Sequence, residues 1–223
     1  MRVGIVGSGN VGQALGCGFA ARGHNVMLGS RTPRSAKIMA WIEETKETDG
    51  ETTAGTFRAA TQFGEVVVIA TLWAGTENAI ELAGPDNFSG KLVIDVTNPM
   101  DFSLGMPPFL THGNSDSGAE QIQRWLPRAR IVKAFNFVNS ADMVDPEYRG
   151  GVPDMFVCGN DKKARNRVAD ICRDFGWERV TDIGDLKGAR HLEALANFWV
   201  HLAHVRGSGV RQAFSLLTRS GQE

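Results

Sequence analysis

The sequence holds three cysteines, one tyrosine and no surplus of charge of either sign, and each scarcity closes off a class of function. Cys17, Cys158 and Cys172 are odd in number and far apart, which argues against a disulfide scaffold and fits reduced core residues of a cytoplasmic protein. Lys and Arg number 24 against 25 Asp and Glu, a net charge of −1. That balance argues against a nucleic-acid partner and against attachment to a membrane surface. No apolar run is long enough to span a bilayer. The first apolar run breaks at Gly7, too early for a secretory leader. His24, His112, His191, His201 and His204 match no zinc spacing, so no metal site is expected. Of these, His112 falls in a loop from which it could approach a substrate. Tyr148 falls in a polar loop, and no strand end carries an evident Tyr, Lys or His to give a proton. No catalytic triad is legible.

What is present begins at once. Val3, Ile5 and Val6 form a short apolar strand, and Gly7-Ser8-Gly9-Asn10-Val11-Gly12 follows. A helix of small residues runs to about Ala21, where Arg22-Gly23 stops it. Val26-Met27-Leu28 is the next strand. This is the dinucleotide fingerprint in its strand–turn–helix setting. Gly7 permits the tight turn, Gly9 lets a pyrophosphate approach the backbone, and Gly12 lets the helix pack closely. The diphosphate then meets the free N–H groups of a helix N-terminus.

The end of the second strand selects the cofactor. An NAD site places Asp or Glu there to hold the ribose 2′-hydroxyl. This chain places Ser30, Arg31 and Thr32, then Arg34 and Lys37, and has no carboxylate before Glu43. A 2′-phosphate here would meet a guanidinium fork, two hydroxyls and a helix start. Thr32-Pro33 reads as the N-cap and first-turn proline of that helix. NADP is therefore preferred to NAD.

Strand and helix alternate beyond this point. Helices are expected over 33–47, 57–63, 75–83, 117–126 and 161–174, and two more near 187–205 and 208–218. Strands are expected over 52–56, 65–70, 92–96, 131–135, 155–159 and 178–181. A long loop spans 97–116. The fold class is α/β, a Rossmann-type doubly wound parallel sheet with a smaller C-terminal α/β extension. Residues 1–138 read as the NADP-binding domain and 139–223 as a smaller region completing an acceptor site. The crevice belongs at the carboxyl ends of the strands, among them Gly7, Gly29, Thr71–Trp73, Thr97–Pro99 and Asn136–Val138.

Along nearly its whole length the chain resembles the deazaflavin-dependent NADP oxidoreductase family. The resemblance rests on Gly29-Ser30-Arg31, on Ser117-Gly118-Ala119-Glu120 and on the spacing of Gly184, Leu186, Arg190, Glu193 and Leu195. Val93 to Pro99 and Ile131 to Asn136 are also similar to the cytosolic domain of six-transmembrane metalloreductases, whose acceptor is an ordinary flavin. Two positions depart from the family. Archaeal deazaflavin reductases carry a histidine and an isoleucine beside the bound rings, where this chain has Asn136 and Val138.

The resemblance implies NADP(H) as cofactor and a deazaflavin or flavin co-substrate as small-molecule hydride acceptor. Gly7, Ser8, Gly9, Asn10, Val11 and Gly12 would hold the pyrophosphate. Ser30, Arg31 and Thr32 would hold the 2′-phosphate, with Arg34 or Lys37 assisting. Thr71, Leu72 and Trp73 would flank the ribose and adenine, and Asn98, Pro99, Ala134 and Asn136 the nicotinamide. Trp73 serves equally as a core aromatic, and Asn98-Pro99 equally as a turn. Two rivals stay open: an NADPH-dependent reductase of a flavin, imine or carbonyl compound, and a non-catalytic NADP(H)-binding sensor or partner protein. A homodimer through the C-terminal helices is compatible with the sequence.

Overall fold

A computed structural model describes residues 1–219. Its strands are β1 (Arg2–Val6), β2 (Asn25–Gly29), β3 (Thr52–Gly55), β4 (Val66–Ile69), β5 (Leu92–Asp95), β6 (Met100–Asp101), β7 (Phe109–Leu110), β8 (Arg130–Lys133), β9 (Asp154–Gly159) and β10 (Arg179–Asp182). Its helices are α1 (Asn10–Ala20), α2 (Ala36–Glu44), α3 (Phe57–Phe63), α4 (Thr76–Ala83), α5 (Gly118–Trp125), α6 (Lys162–Asp174) and α7 (Ala189–Val200). Eight strands form one sheet in the order β10-β9-β8-β5-β4-β1-β2-β3. The central strands β1, β4 and β5 are buried on both faces, which is why Val66-Val67-Val68-Ile69 carries no polar alternation.

The sheet is not wholly parallel. β9 runs antiparallel to β8, pairing Val132 with Gly159 and Lys133 with Cys158, and β10 then runs parallel to β9. The C-terminal strands thus extend the first sheet at its β8 edge. The 97–116 stretch is not all loop, because β6 and β7 pair antiparallel within it.

Two expected helix features differ. α2 begins at Ala36 behind Ser35, not behind Thr32. The Thr32 amide donates to Ser30 Oγ at 3.1 Å and the Thr32 carbonyl accepts from the Ser35 amide, so a tight turn precedes the helix. The helix expected over 208–218 is irregular chain in the described residues. Gly207 and Gly209 sit at φ +69° and +87°, which ends α7 and its closing π turn over His201–Val205. The chain then lies along the start of β9: the Asp154 amide donates to the Phe214 carbonyl, and the Leu216 amide to Asp154 Oδ2.

Among the described residues no helix is long and apolar enough to cross a membrane.

Candidate functional site

The fingerprint turn is set by backbone sterics. Gly7 adopts φ +125°, and a Cβ there would sit 2.4 Å from the Ala70 carbonyl oxygen. A Cβ on Gly12 would sit 2.0 Å from the Gly7 oxygen. Only a residue without a side chain closes this turn onto α1. A Cβ on Gly9 would meet nothing within 4 Å, so its backbone faces open space. That space is the mouth of a cavity of about 720 Å³, of a size suited to a cofactor.

The cavity wall gathers Gly7, Ser8, Gly9, Asn10 and Val11 with Ser30, Arg31 and Thr32. Ser8 Oγ donates to Ser30 Oγ at 3.1 Å, joining the ends of β1 and β2. Ser30 is buried while Arg31 is exposed at the rim. Lys37 does not line the wall, but its Nζ donates to Asn10 Oδ1 at 2.9 Å and is thereby held against the start of α1. Arg34 also lies off the wall. Thr71 and Leu72 form the opposite side, and the Leu72 side chain is 84% exposed over the cavity. Such an apolar side chain left open beside a cleft suits the face of a base or sugar.

Trp73 and Gly12 do not line the wall. Trp73 stacks on Trp125 at 5.8 Å, meets His112 edge-on at 5.2 Å and packs against Gly118. It supports the start of α5. The wall includes residues that sequence reasoning passed over: Phe57, Ala70, Gly75, Asn78, Ala79 and Val96. Phe57 had a signal, since Thr56 caps α3 through its side chain and places that helix start at the end of β3.

Asn98, Pro99, Ala134 and Asn136 also lie off the cavity wall, at the carboxyl ends of β5 and β8. Asn98 Nδ2 donates to the Asn136 carbonyl at 2.7 Å, and Asn136 Nδ2 donates to Asn98 Oδ1 at 2.9 Å. Asn136 Nδ2 also donates to the Leu192 carbonyl at 2.9 Å, which ties the pair to α7. Phe135 takes φ +62° to turn the chain out of β8, a conformation that costs a bulky residue about 1–3 kcal/mol. Ala134 is fully buried. The Pro99 carbonyl accepts from the Thr111 amide at 2.7 Å and so fixes the base of the β6–β7 hairpin.

Beneath this pair lies a buried ionic cluster that sequence reasoning did not foresee. Lys133 Nζ sits 2.8 Å from Asp95 Oδ2 and 2.9 Å from Glu193 Oε1, and it also donates to the Thr97 carbonyl. Asp95 Oδ1 accepts from the Thr97 amide at 2.9 Å and its hydroxyl at 2.7 Å. Glu193 accepts from the Gly118 and Ala119 amides at 2.9 and 3.1 Å, at the start of α5. Burial alone would lower the Lys133 pKa, but the Asp95 and Glu193 carboxylates outweigh it and hold the ammonium above its ordinary value.

Other reactive groups stand apart from the cavity. Burial pushes the Cys158 thiol up to about 12 and raises Cys172 and Cys17 as well. None of the three is poised as a thiolate at neutral pH. Burial likewise raises Tyr148, which lies off the cavity wall. Among the described residues, no group of three or more His, Cys, Asp and Glu side chains is placed to hold a metal.

Comparison with known proteins gives a consistent picture. Residues 2–99 match the family described as NADP oxidoreductase, coenzyme F420-dependent. A candidate F420-dependent NADP reductase of Arthrobacter sp. FB24 has a crystal structure that superposes with a TM-score of 0.91 at 36% identity, over 98% of this chain and 100% of that one. The F420-dependent NADP reductase of Methanocaldococcus jannaschii is 26% identical over 95% of this chain and 97% of its own length. Metalloreductase STEAP3 of Rattus norvegicus is 30% identical over 87% of this chain, and the matched part spans 36% of that protein.

Proposed function

This chain belongs to the family of coenzyme F420-dependent NADP oxidoreductases, and from that premise we propose that it transfers hydride between NADPH and a deazaflavin coenzyme. It is an NADP-dependent oxidoreductase. The observation that carries the reading is the continuous wall from the fingerprint to Ser30, Arg31 and Thr32, with no carboxylate at the end of β2. A dinucleotide with a 2′-phosphate fits that wall: Gly9 opens on space, and Arg31 stands exposed at the rim.

The bound dinucleotide would supply the hydride, and such an exchange needs no proton-transfer triad in the protein. The work of the chain is to hold and to exclude. The α1 start and the Ser8, Gly9 and Asn10 backbone take the pyrophosphate. Ser30, Arg31 and Thr32 take the 2′-phosphate, with Lys37 held close by Asn10. Leu72 covers the base and ribose. The Asn98–Asn136 pair stiffens the two strand ends at which the nicotinamide would sit: Asn98 Nδ2 donates to the Asn136 carbonyl and Asn136 Nδ2 to Asn98 Oδ1, while the buried Asn136 Oδ1 has no partner among the described residues. Orientation of this kind places reacting atoms within about 3–3.5 Å.

Anaerobic mixing of the NADPH-loaded protein with oxidised deazaflavin, and separately with FMN, tests the reading. Rapid loss of the nicotinamide band with deazaflavin supports it. Loss with FMN alone would make the protein a flavin reductase. Tight NADPH binding without turnover by either would leave a binding protein in its place.

A further inference from the structure

The Asp95–Lys133–Glu193 cluster makes no contact assigned above to the dinucleotide. Asp95 and Lys133 close β5 and β8 and are direct partners in register. Glu193 comes in from α7 to complete the set. Two carboxylates share one ammonium, so the cluster sums to one negative charge. The neighbouring Glu120–Arg190 pair closes on itself at 2.6 Å and adds nothing net. The Gly118 and Ala119 amides on Glu193 offset part of the charge, as a helix start does. All three side chains are at most 1% exposed, so neither water nor salt screens them as it would a surface charge.

Asn98 and Asn136 stand three residues beyond Asp95 and Lys133, in the chain that leaves the ends of β5 and β8, so the cluster closes the two strands at whose ends the nicotinamide would sit. The nicotinamide ring carries a positive charge in NADP⁺ and none in NADPH. A fixed negative charge at those strand ends discriminates between the two.

We propose that the field of the buried Asp95–Lys133–Glu193 cluster makes the site bind oxidised cofactor in preference to reduced cofactor, and so biases the protein toward giving up hydride from NADPH. The proposal rests on the reading of the crevice as an NADP(H) site. It differs from a purely structural role in one respect. A cluster that only anchors α7 and α5 would, when perturbed, change both affinities in proportion, whereas an electrostatic one changes their ratio.

The test measures the Kd of NADP⁺ and of NADPH, by calorimetry and by quenching of protein fluorescence, for the full chain. Glu193→Gln and Asp95→Asn each remove one negative charge with little change of shape. In either variant the ratio of the NADP⁺ to the NADPH Kd should rise about tenfold, as expected for one charge at about 10 Å in an effective dielectric of about 20. The rise should survive added salt. Near-ultraviolet circular dichroism identifies a variant that has lost its fold, and the other then decides. A ratio that stays at the wild-type value in a folded variant overturns the proposal while leaving the NADP(H) site intact. Failure of the wild-type protein to bind either dinucleotide would overturn the site reading as well.

Discussion

Lys133 Nζ lies 2.9 Å from Glu193 Oε1, and neither side chain is more than 1% exposed. The contact joins the last residue of β8 to the middle of α7, sixty residues later in the chain. Through the amides of Gly118 and Ala119 the same carboxylate fixes the start of α5. The neighbouring elements α5 and β8 are thus both tied to the distant α7 by one carboxylate.

Lys133→Met should therefore be severe. It leaves Asp95 and Glu193 buried without their cation, and breaking a buried pair from one side costs about 3–5 kcal/mol. Urea unfolding followed by fluorescence reads the loss. A cost under about 1 kcal/mol, the value typical of a surface pair, would show that the cluster is not the anchor described here.

Arg31→Ala should separate the two nicotinamide cofactors. The guanidinium stands exposed at the cavity rim beside Ser30 and Thr32, where a 2′-phosphate would sit. A charge-assisted contact of this kind contributes about 1.5–3 kcal/mol, so NADPH affinity should fall about ten- to a hundredfold while NADH affinity holds. Equal losses for both would place the 2′-phosphate elsewhere.

Gly12→Ala should abolish dinucleotide binding, although Gly12 does not line the cavity. The added methyl would meet the Gly7 carbonyl at 2.0 Å, so either α1 or the turn must shift. Calorimetry with NADPH should show no binding by a protein whose far-ultraviolet spectrum is retained. Binding at wild-type affinity would contradict the steric account of the fingerprint turn.

The Glu120–Arg190 pair predicts a response to acid. Hydrogen bonding from the Arg190 guanidinium is the largest influence on Glu120 and holds its carboxyl below the ordinary value of 4.5. A depressed carboxyl contributes stability that is present above its unfolded pKa and is lost as pH falls through the folded one. The stability difference between wild type and Glu120→Gln should therefore be constant near neutrality and shrink below about pH 4.5. Unfolding curves at several pH values check it. A difference that grew in acid would reverse the assigned sign.

The order of strands and helices through residue 95 was legible because each signal there is local. Gly7 to Gly12 announce the turn, and Val66 to Ile69 announce a strand covered on both faces. What was illegible depends on distant partners. Nothing near Lys133 in sequence indicates that Glu193 returns to meet it. Nothing near Val132 indicates that β9 will pair antiparallel. The helix expected over 208–218 had apolar residues to recommend it, but Gly207 and Gly209 at positive φ divert the chain and Phe214 packs against Phe137 and Phe198 instead. At the site, Ser30, Arg31 and Thr32 were legible from what is missing beside them. Asn78 and Val96 reach the cavity through tertiary packing alone.

The most direct test of the account follows the hydrogen itself. NADPH carrying deuterium at both C4 positions is mixed anaerobically with the protein and oxidised deazaflavin, and the reduced deazaflavin is weighed by mass spectrometry. Direct transfer across the crevice predicts one deuterium in every molecule of reduced product, with none lost to solvent. Reduced product without deuterium, or no reduced product at all, would contradict hydride transfer between these two partners.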